Sequence, residues 1–150
     1  MESEALDLAA KLCLKFEGLY LRPYLCPAGV ATIGVGSTRY EDGTAVTMHD
    51  SPISKERAIG LLMLTLKRDY MPAAKRLCPD LETAGQLAAL TDFAYNAGIG
   101  ALKASTLRKK VNAKEYELVP AEFAKWTKGG GKVLKGLVIR RQAESNLFQG

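Results

Sequence analysis

Apolar residues recur at helical spacing near the start of the chain. Ala5, Leu8, Ala9, Leu12, Cys13 and Phe16 fall on one side of a 3.6-residue repeat. Gly18 follows where a helix-ending glycine belongs, so the pattern predicts a helix that stops near Glu17. Pro23 and Pro27 exclude further helix. Between Ala28 and Val46 the texture changes to short β-prone pieces, Val30–Val35 and Thr44–Thr47. They are cut by Gly29, Gly34, Gly36 and the turn pair Asp42-Gly43. This predicts a small antiparallel sheet of two or three strands, which must lean on helices to be stable. After Pro52 the pattern is helical to the end. Ser54 is an N-cap for a helix carrying Ala58, Leu61, Leu62 and Thr65, and Pro72 and Pro79 bracket a short helical piece. Further helices are predicted at about 83–97, 105–112, 120–127 and 135–148.

Composition narrows the class. A chain of 150 residues predicts one domain, and 47% hydrophobic with 25% charged residues suits a folded protein with a real core. No run approaches the roughly 18 apolar residues of a membrane span, and the acidic start Met1-Glu2-Ser3-Glu4 is unlike a secretory signal. The expectation is a protein made in the cytoplasm without a membrane anchor. Twenty-one Lys and Arg against sixteen Asp and Glu leave a net charge of +5, which draws the surface towards polyanions without choosing among them. Three cysteines, Cys13, Cys26 and Cys78, do not make a disulfide framework. A single histidine without Cys-x-x-Cys argues against zinc. A nucleic-acid binder is a rival reading on charge alone, and no helix-turn-helix, RNP or zinc signature supports it.

Glu17 is the first candidate for chemistry. It lies four residues after Cys13, hence on the buried face of its helix, and at the negative end of the helix dipole. Both the dipole and partial burial favour a carboxyl that keeps its proton, as a general acid near neutral pH requires. Alone, it reads as an ordinary surface glutamate near a helix end.

The segment from Phe16 to Gly36 resembles the active-site segment of the phage lysozymes, the endolysins of glycoside hydrolase family 24. Their pattern is Glu-Gly closing the first helix, an Asp after eight intervening residues, and a Thr after five more that opens a Thr-x-Gly-x-Gly strand. Glu17 and Thr32 match in identity and spacing, whereas Cys26 matches in spacing only. Downstream, Phe93-Ala94-Tyr95-Asn96-Ala97-Gly98 is similar to the family's Phe-Asn-x-Gly element. Ser105-Thr106-Leu107 with Asn112-Ala113 is similar to its Ser-Thr-Leu…Asn-Ala stretch. Trp126, Gly131-Lys132 and the run from Gly136 to Glu144, with Arg140 and Arg141, are similar to its C-terminal signature. Each piece has a plain reading as well. Asn96 and Gly98 can end a helix, Ser105 can be an N-cap, and Arg140 and Arg141 can be solvated charge with Glu144 in a weak surface pair. The glycines before Lys132 do not make a phosphate loop, because Val133 stands where Ser or Thr is needed.

The resemblance implies an α+β, lysozyme-like fold: a β lobe at about 28–50, a helical lobe from the first helix plus about 53–150, and a cleft with Glu17 at its floor. It implies an endolysin that hydrolyses the β-1,4 bond between N-acetylmuramic acid and N-acetylglucosamine in peptidoglycan. Glu17, Cys26 and Thr32 would be catalytic, Tyr24, Asn96 and Ser105 would bind substrate, and Arg140 and Arg141 would support them. No metal or cofactor is implied. The enzyme would be a monomer, made in the host cytoplasm and released to the periplasmic wall by a holin. Cysteine in place of aspartate leaves three readings: a base, a nucleophile that forms a glycosyl-enzyme bond, or a residue of a site that has lost activity. The last would make the chain an inert peptidoglycan-binding module. A thiol also carries a redox liability if Cys13 or Cys78 lies near Cys26. Ser37 stands where the family has a histidine, which touches stability more than chemistry.

Overall fold

The computed structural model describes residues 1–150. Helix α1 spans Glu2–Glu17, with Glu2 and Glu4 in its first turn and Lys15 in its last, as the helix dipole favours. Its buried residues, Ala5, Ala9 and Cys13, are four apart and small, so the helix can lie close to its neighbours. Gly18, at φ +80, ends it, and its N–H bonds to the Leu14 carbonyl.

The sheet begins earlier than the sequence pattern predicts. Strand β1 is Tyr20–Leu25 and pairs antiparallel with β2, Ala31–Gly34, placing Tyr24 opposite Thr32. Pro23 does not exclude a strand. It sits where the register is irregular, in a two-stranded sheet that tolerates its missing N–H. The connecting turn is closed by Gly29 N–H on the Cys26 carbonyl at 2.8 Å and Cys26 N–H on the Val30 carbonyl at 3.0 Å. The strand expected at Thr44–Thr47 reduces to an isolated bridge between Arg39 and Ala45. The Asp42-Gly43 turn is present, with Asp42 Oδ1 accepting from the Thr44 N–H.

Helix α2, Lys55–Thr65, starts on Ser54, whose hydroxyl accepts from the Arg57 N–H. It runs through a π-helical turn, Leu66–Tyr70, into α3, Met71–Leu77, with Pro72 accommodated in the first turn of α3. Helix α4, Ala84–Ala97, is capped by Thr83 and is buried continuously from Gln86 to Ala94. A helix apolar around its circumference belongs at the centre of a bundle, and α4 packs against α1, α3 and α8. Phe93 anchors that centre, meeting Phe123 and Trp126 edge to face with ring centroids 5.9 and 5.3 Å away.

Beyond α4 the chain forms α5, Ile99–Ala104, which the pattern misses, and α6, Thr106–Asn112, capped by Ser105. A 3₁₀ turn at Tyr116–Leu118 leads into α7, Val119–Phe123, shorter than the expected 120–127. The glycine run is the bend of a second small hairpin, β3 (Lys128–Gly129) with β4 (Lys132–Val133). Helix α8, Lys135–Gln149, closes the fold.

At Gly85 the α4–α8 contact leaves no room for a side chain: a Cβ would stand 2.4 Å from the Leu147 carbonyl oxygen. Helix propensity alone favours Gly85→Ala by up to about 1 kcal/mol. The backbone clash should outweigh it and destabilise the protein by about 1–3 kcal/mol, read as a lower midpoint in urea unfolding.

Candidate active site

Glu17 ends α1 with its side chain 26% exposed. Its Oε2 accepts a 2.6 Å bond from Arg140 Nη1 of α8. The rest of that guanidinium is held from behind, where Nε and Nη2 donate to Asp92 Oδ2 and Oδ1 of α4 at 3.0 and 2.7 Å. Asp92 Oδ1 also accepts from the Cys13 thiol at 3.2 Å. The chain therefore carries a continuous link from Glu17 through Arg140 to Asp92, across three helices. Because Asp92 neutralises Arg140, Glu17 faces a compensated cation rather than a bare one. Glu144 extends the cluster. It is fully buried, and burial first, then the neighbouring Asp92 carboxylate, push its carboxyl well above the usual range.

Gly36 closes the opposite side of Glu17. A Cβ there would meet Tyr95 Oη at 2.8 Å and Glu17 Oε1 at 3.7 Å, and φ is +79. Tyr95 Oη donates to the Val35 carbonyl at 2.7 Å, tying α4 to the chain just after β2.

Cys26 occupies the first position of the β1–β2 turn. Its thiol is held below its ordinary value, first by the Val30 backbone N–H, then by the Ala28 N–H and the Thr32 hydroxyl. Thr32 is buried, and its one hydroxyl proton goes to the Val30 carbonyl at 2.9 Å, so it serves a Cys26 thiolate only by turning from that carbonyl. Tyr24 sits near both groups: burial raises its phenol, and the charges of Glu17 and Cys26 add to that. Its ring packs on Tyr20 with centroids 4.5 Å apart.

The other residues of interest lie apart from this group. Arg141 points away from Arg140, donating from Nη2 to Asn96 Oδ1 and lying over the Phe93 ring at 5.0 Å. Consecutive residues on a helix diverge by about 100°, so one arginine reaches Glu17 and the next reaches Asn96. Asn96 lines a separate cavity with Trp126, Lys128 and Leu137. Ser105 is buried and fully engaged as a cap, donating to the Leu102 carbonyl at 2.7 Å and accepting from the Arg108 N–H at 3.0 Å. Both arginines are buried, so neither is solvated charge, and Glu144 is not a surface partner. Sequence reasoning missed Asp92 and Tyr95. The one available signal was the only charged residue of a mostly apolar helix, four residues before Asn96.

All three cysteines are free. Cys13 turns inward to Asp92, Cys78 is buried with its thiol pushed up to about 11, and neither is joined to Cys26, the pairing that the sequence left open. Ser37 carries its bridge to Ile33 through the backbone, and its buried hydroxyl has no hydrogen-bond partner. No group of three or more His, Cys, Asp or Glu is placed to hold a metal, and no helix is long and apolar enough to cross a membrane.

Known proteins share this arrangement of elements. The sequence model of the family described as Phage lysozyme matches residues 14–144. An endolysin of Bacillus phage B103 is 36% identical over 137 residues, 91% of this chain and 51% of the relative. The chain thus spans about half the length of the Bacillus phage relatives it matches. An endolysin of Acyrthosiphon pisum secondary endosymbiont phage 1 is 33% identical, with 92% of each chain covered. The solved endolysin from Escherichia coli O157:H7 phage FAHEc1 superposes with a TM-score of 0.82 at 30% identity, covering 97% of this chain and 90% of that one. With the family's sequence pattern running through nearly all of it and its fold matching a solved endolysin, this chain belongs to the phage lysozyme family.

Proposed function

We propose that the protein is an endolysin: a glycoside hydrolase that cleaves the β-1,4 bond between N-acetylmuramic acid and N-acetylglucosamine in peptidoglycan and so lyses the host cell. The observation that carries this reading is the pairing, in a phage lysozyme chain, of a helix-ending carboxyl backed by Arg140 with a turn that favours the Cys26 thiolate. Glycoside hydrolysis needs one group to protonate the leaving oxygen and another to serve the opposite face of the sugar.

In this reading protonated Glu17 gives its proton to the glycosidic oxygen as the C–O bond breaks. The carboxylate that results is received by Arg140, whose Nη1 already points at Oε2. Cys26 thiolate then either takes a proton from the water that attacks the anomeric carbon, or attacks that carbon itself and is displaced by water later. Thr32 acts through Cys26, its hydroxyl being one of the groups that favour the thiolate. Tyr24, beside both groups, contacts the sugar, and Asn96 binds it in the separate cavity next to Trp126. The chain is made in the host cytoplasm and, as a monomer, acts on periplasmic peptidoglycan after a holin opens the inner membrane. The positive net charge strengthens attraction to an anionic wall, and salt weakens it.

Glu17→Gln should lower kcat on purified peptidoglycan by roughly 10²-fold or more, measured as release of reducing ends. Full activity in that variant would remove Glu17 from the chemistry. Because the Cys26 pKa is lowered, the ascending limb of the pH–rate profile should lie below that of an ordinary thiol. Replacing Cys26 by Asp, which ionises near 3.9, should carry that limb further to acid. An unmoved limb would show that another group sets it. Cys26→Ser should lose most activity in either mechanism. The anomer of the first product, followed by NMR, separates them: inversion identifies a base and retention a nucleophile.

A further inference from the structure

Glu144 is fully buried, and neither of its carboxyl oxygens has a hydrogen-bond donor from a neighbouring side chain or backbone. Arg141 Nε lies 3.2 Å from Oε1 without the alignment of a hydrogen bond. An ionised carboxylate in this setting would have the attraction of Arg141 and Arg140 but no hydrogen bond to set against the cost of desolvation. It would also adjoin a second buried carboxylate, Asp92, which lies within hydrogen-bonding reach.

The charges around it are Asp92 from α4 and Arg140 and Arg141 from its own helix. Cys13 and Glu17 of α1 stand beyond Asp92 and Arg140. Asp92 is already paired with Arg140, and a proton on Glu144 keeps a second carboxylate from standing against it. Asp92 already accepts from Arg140 twice and from Cys13, which leaves lone-pair capacity for one more donor. A protonated Glu144 is that donor.

We propose that Glu144 is a positioning residue that keeps its proton at neutral pH and donates it to Asp92, fixing the fork that aims Arg140 Nη1 at Glu17. Ionisation of Glu144 sets two carboxylates against each other, and the fork on Arg140 loses its alignment. The positioning role rests on the hydrolase reading above, whereas the protonation does not.

The experiment compares wild type with Glu144→Gln and Glu144→Leu in urea unfolding and in peptidoglycan hydrolysis. A carboxyl protonated in the fold but ionised when unfolded loses stability as pH rises from its unfolded value towards its folded one. The amide donates at every pH. Between about pH 5 and 8 the midpoint of Glu144→Gln should therefore rise steadily relative to wild type. Parallel midpoints would mean that folded Glu144 is ionised, and would overturn the protonation. In hydrolysis, Glu144→Leu should lower kcat about 10- to 100-fold with little change in KM, and Gln should restore most of it. A Leu variant as active as wild type, or a Gln variant as impaired as Leu, would overturn the positioning role. Should Glu17→Gln prove fully active, the hydrolase reading falls while the unfolding result still decides the protonation.

Discussion

One guanidinium joins the parts of this molecule that matter most. Arg140 leaves α8, takes Asp92 of α4 along one edge and reaches Glu17 of α1 with its remaining nitrogen. Taking a charge out of water is costly unless it is paired and hydrogen-bonded, so such a group persists only where every partner is in place. Here the partners come from opposite ends of the chain: Glu17 and Arg140 are 123 residues apart in sequence. The orientation of the candidate acid is thus decided by the assembly of three helices rather than by its own segment. The apolar face of α4, centred on Phe93, draws those helices together, and the ion pairs fix their rotation.

The second candidate group is placed by opposite means. Cys26 owes its position to a local hairpin turn, and the groups that favour its thiolate, the Val30 and Ala28 N–H and the Thr32 hydroxyl, lie within six residues of it. Backbone donors can serve a thiolate as well as a carboxylate, because they recognise negative charge rather than its shape. Such a turn therefore favours an anion at position 26 whether the side chain is a thiol or a carboxylate. Glu17, by contrast, depends on partners that only the complete fold provides.

This division explains what could be read from the sequence. Glu17 at the end of α1, the Ser54 cap and the central helix ending at Ala97 all follow from local pattern, and all were legible. The strand Tyr20–Leu25 was not, because Pro23 argues against a strand until the irregular pairing that spares its missing N–H is seen. Asp92 was hidden for a different reason. Nothing in Ala89-Leu90-Thr91-Asp92-Phe93 says whether the carboxylate faces solvent or an arginine, since that depends on how α8 returns. The plain reading of Arg140, Arg141 and Glu144 as surface charge failed alike: pairing across helices lets such groups be buried, and pairing is non-local. Ser105, where local capping chemistry suffices, followed its plain reading.

The distance between Glu17 and Cys26 is then set by how closely the hairpin can approach the helices. Two glycines control this. At Gly34 a Cβ would press on Ala58 of α2 at 3.3 Å, and at Gly36 it would meet the Tyr95 hydroxyl of α4 at 2.8 Å. Both have positive φ, at +70 and +79, so each also provides a bend that other residues adopt only with strain. Ile33, between Thr32 and Gly34, is fully buried with Ala58 and Leu61, which seats the hairpin on α2. The Tyr95 bond to Val35 seats it on α4. The strand's glycines therefore do more than bend the chain. They let the hairpin that carries Cys26 and Thr32 dock against α2 and α4, with Gly36 brought up to the Glu17 carboxyl, and the geometry between Glu17 and Cys26 comes from that close contact.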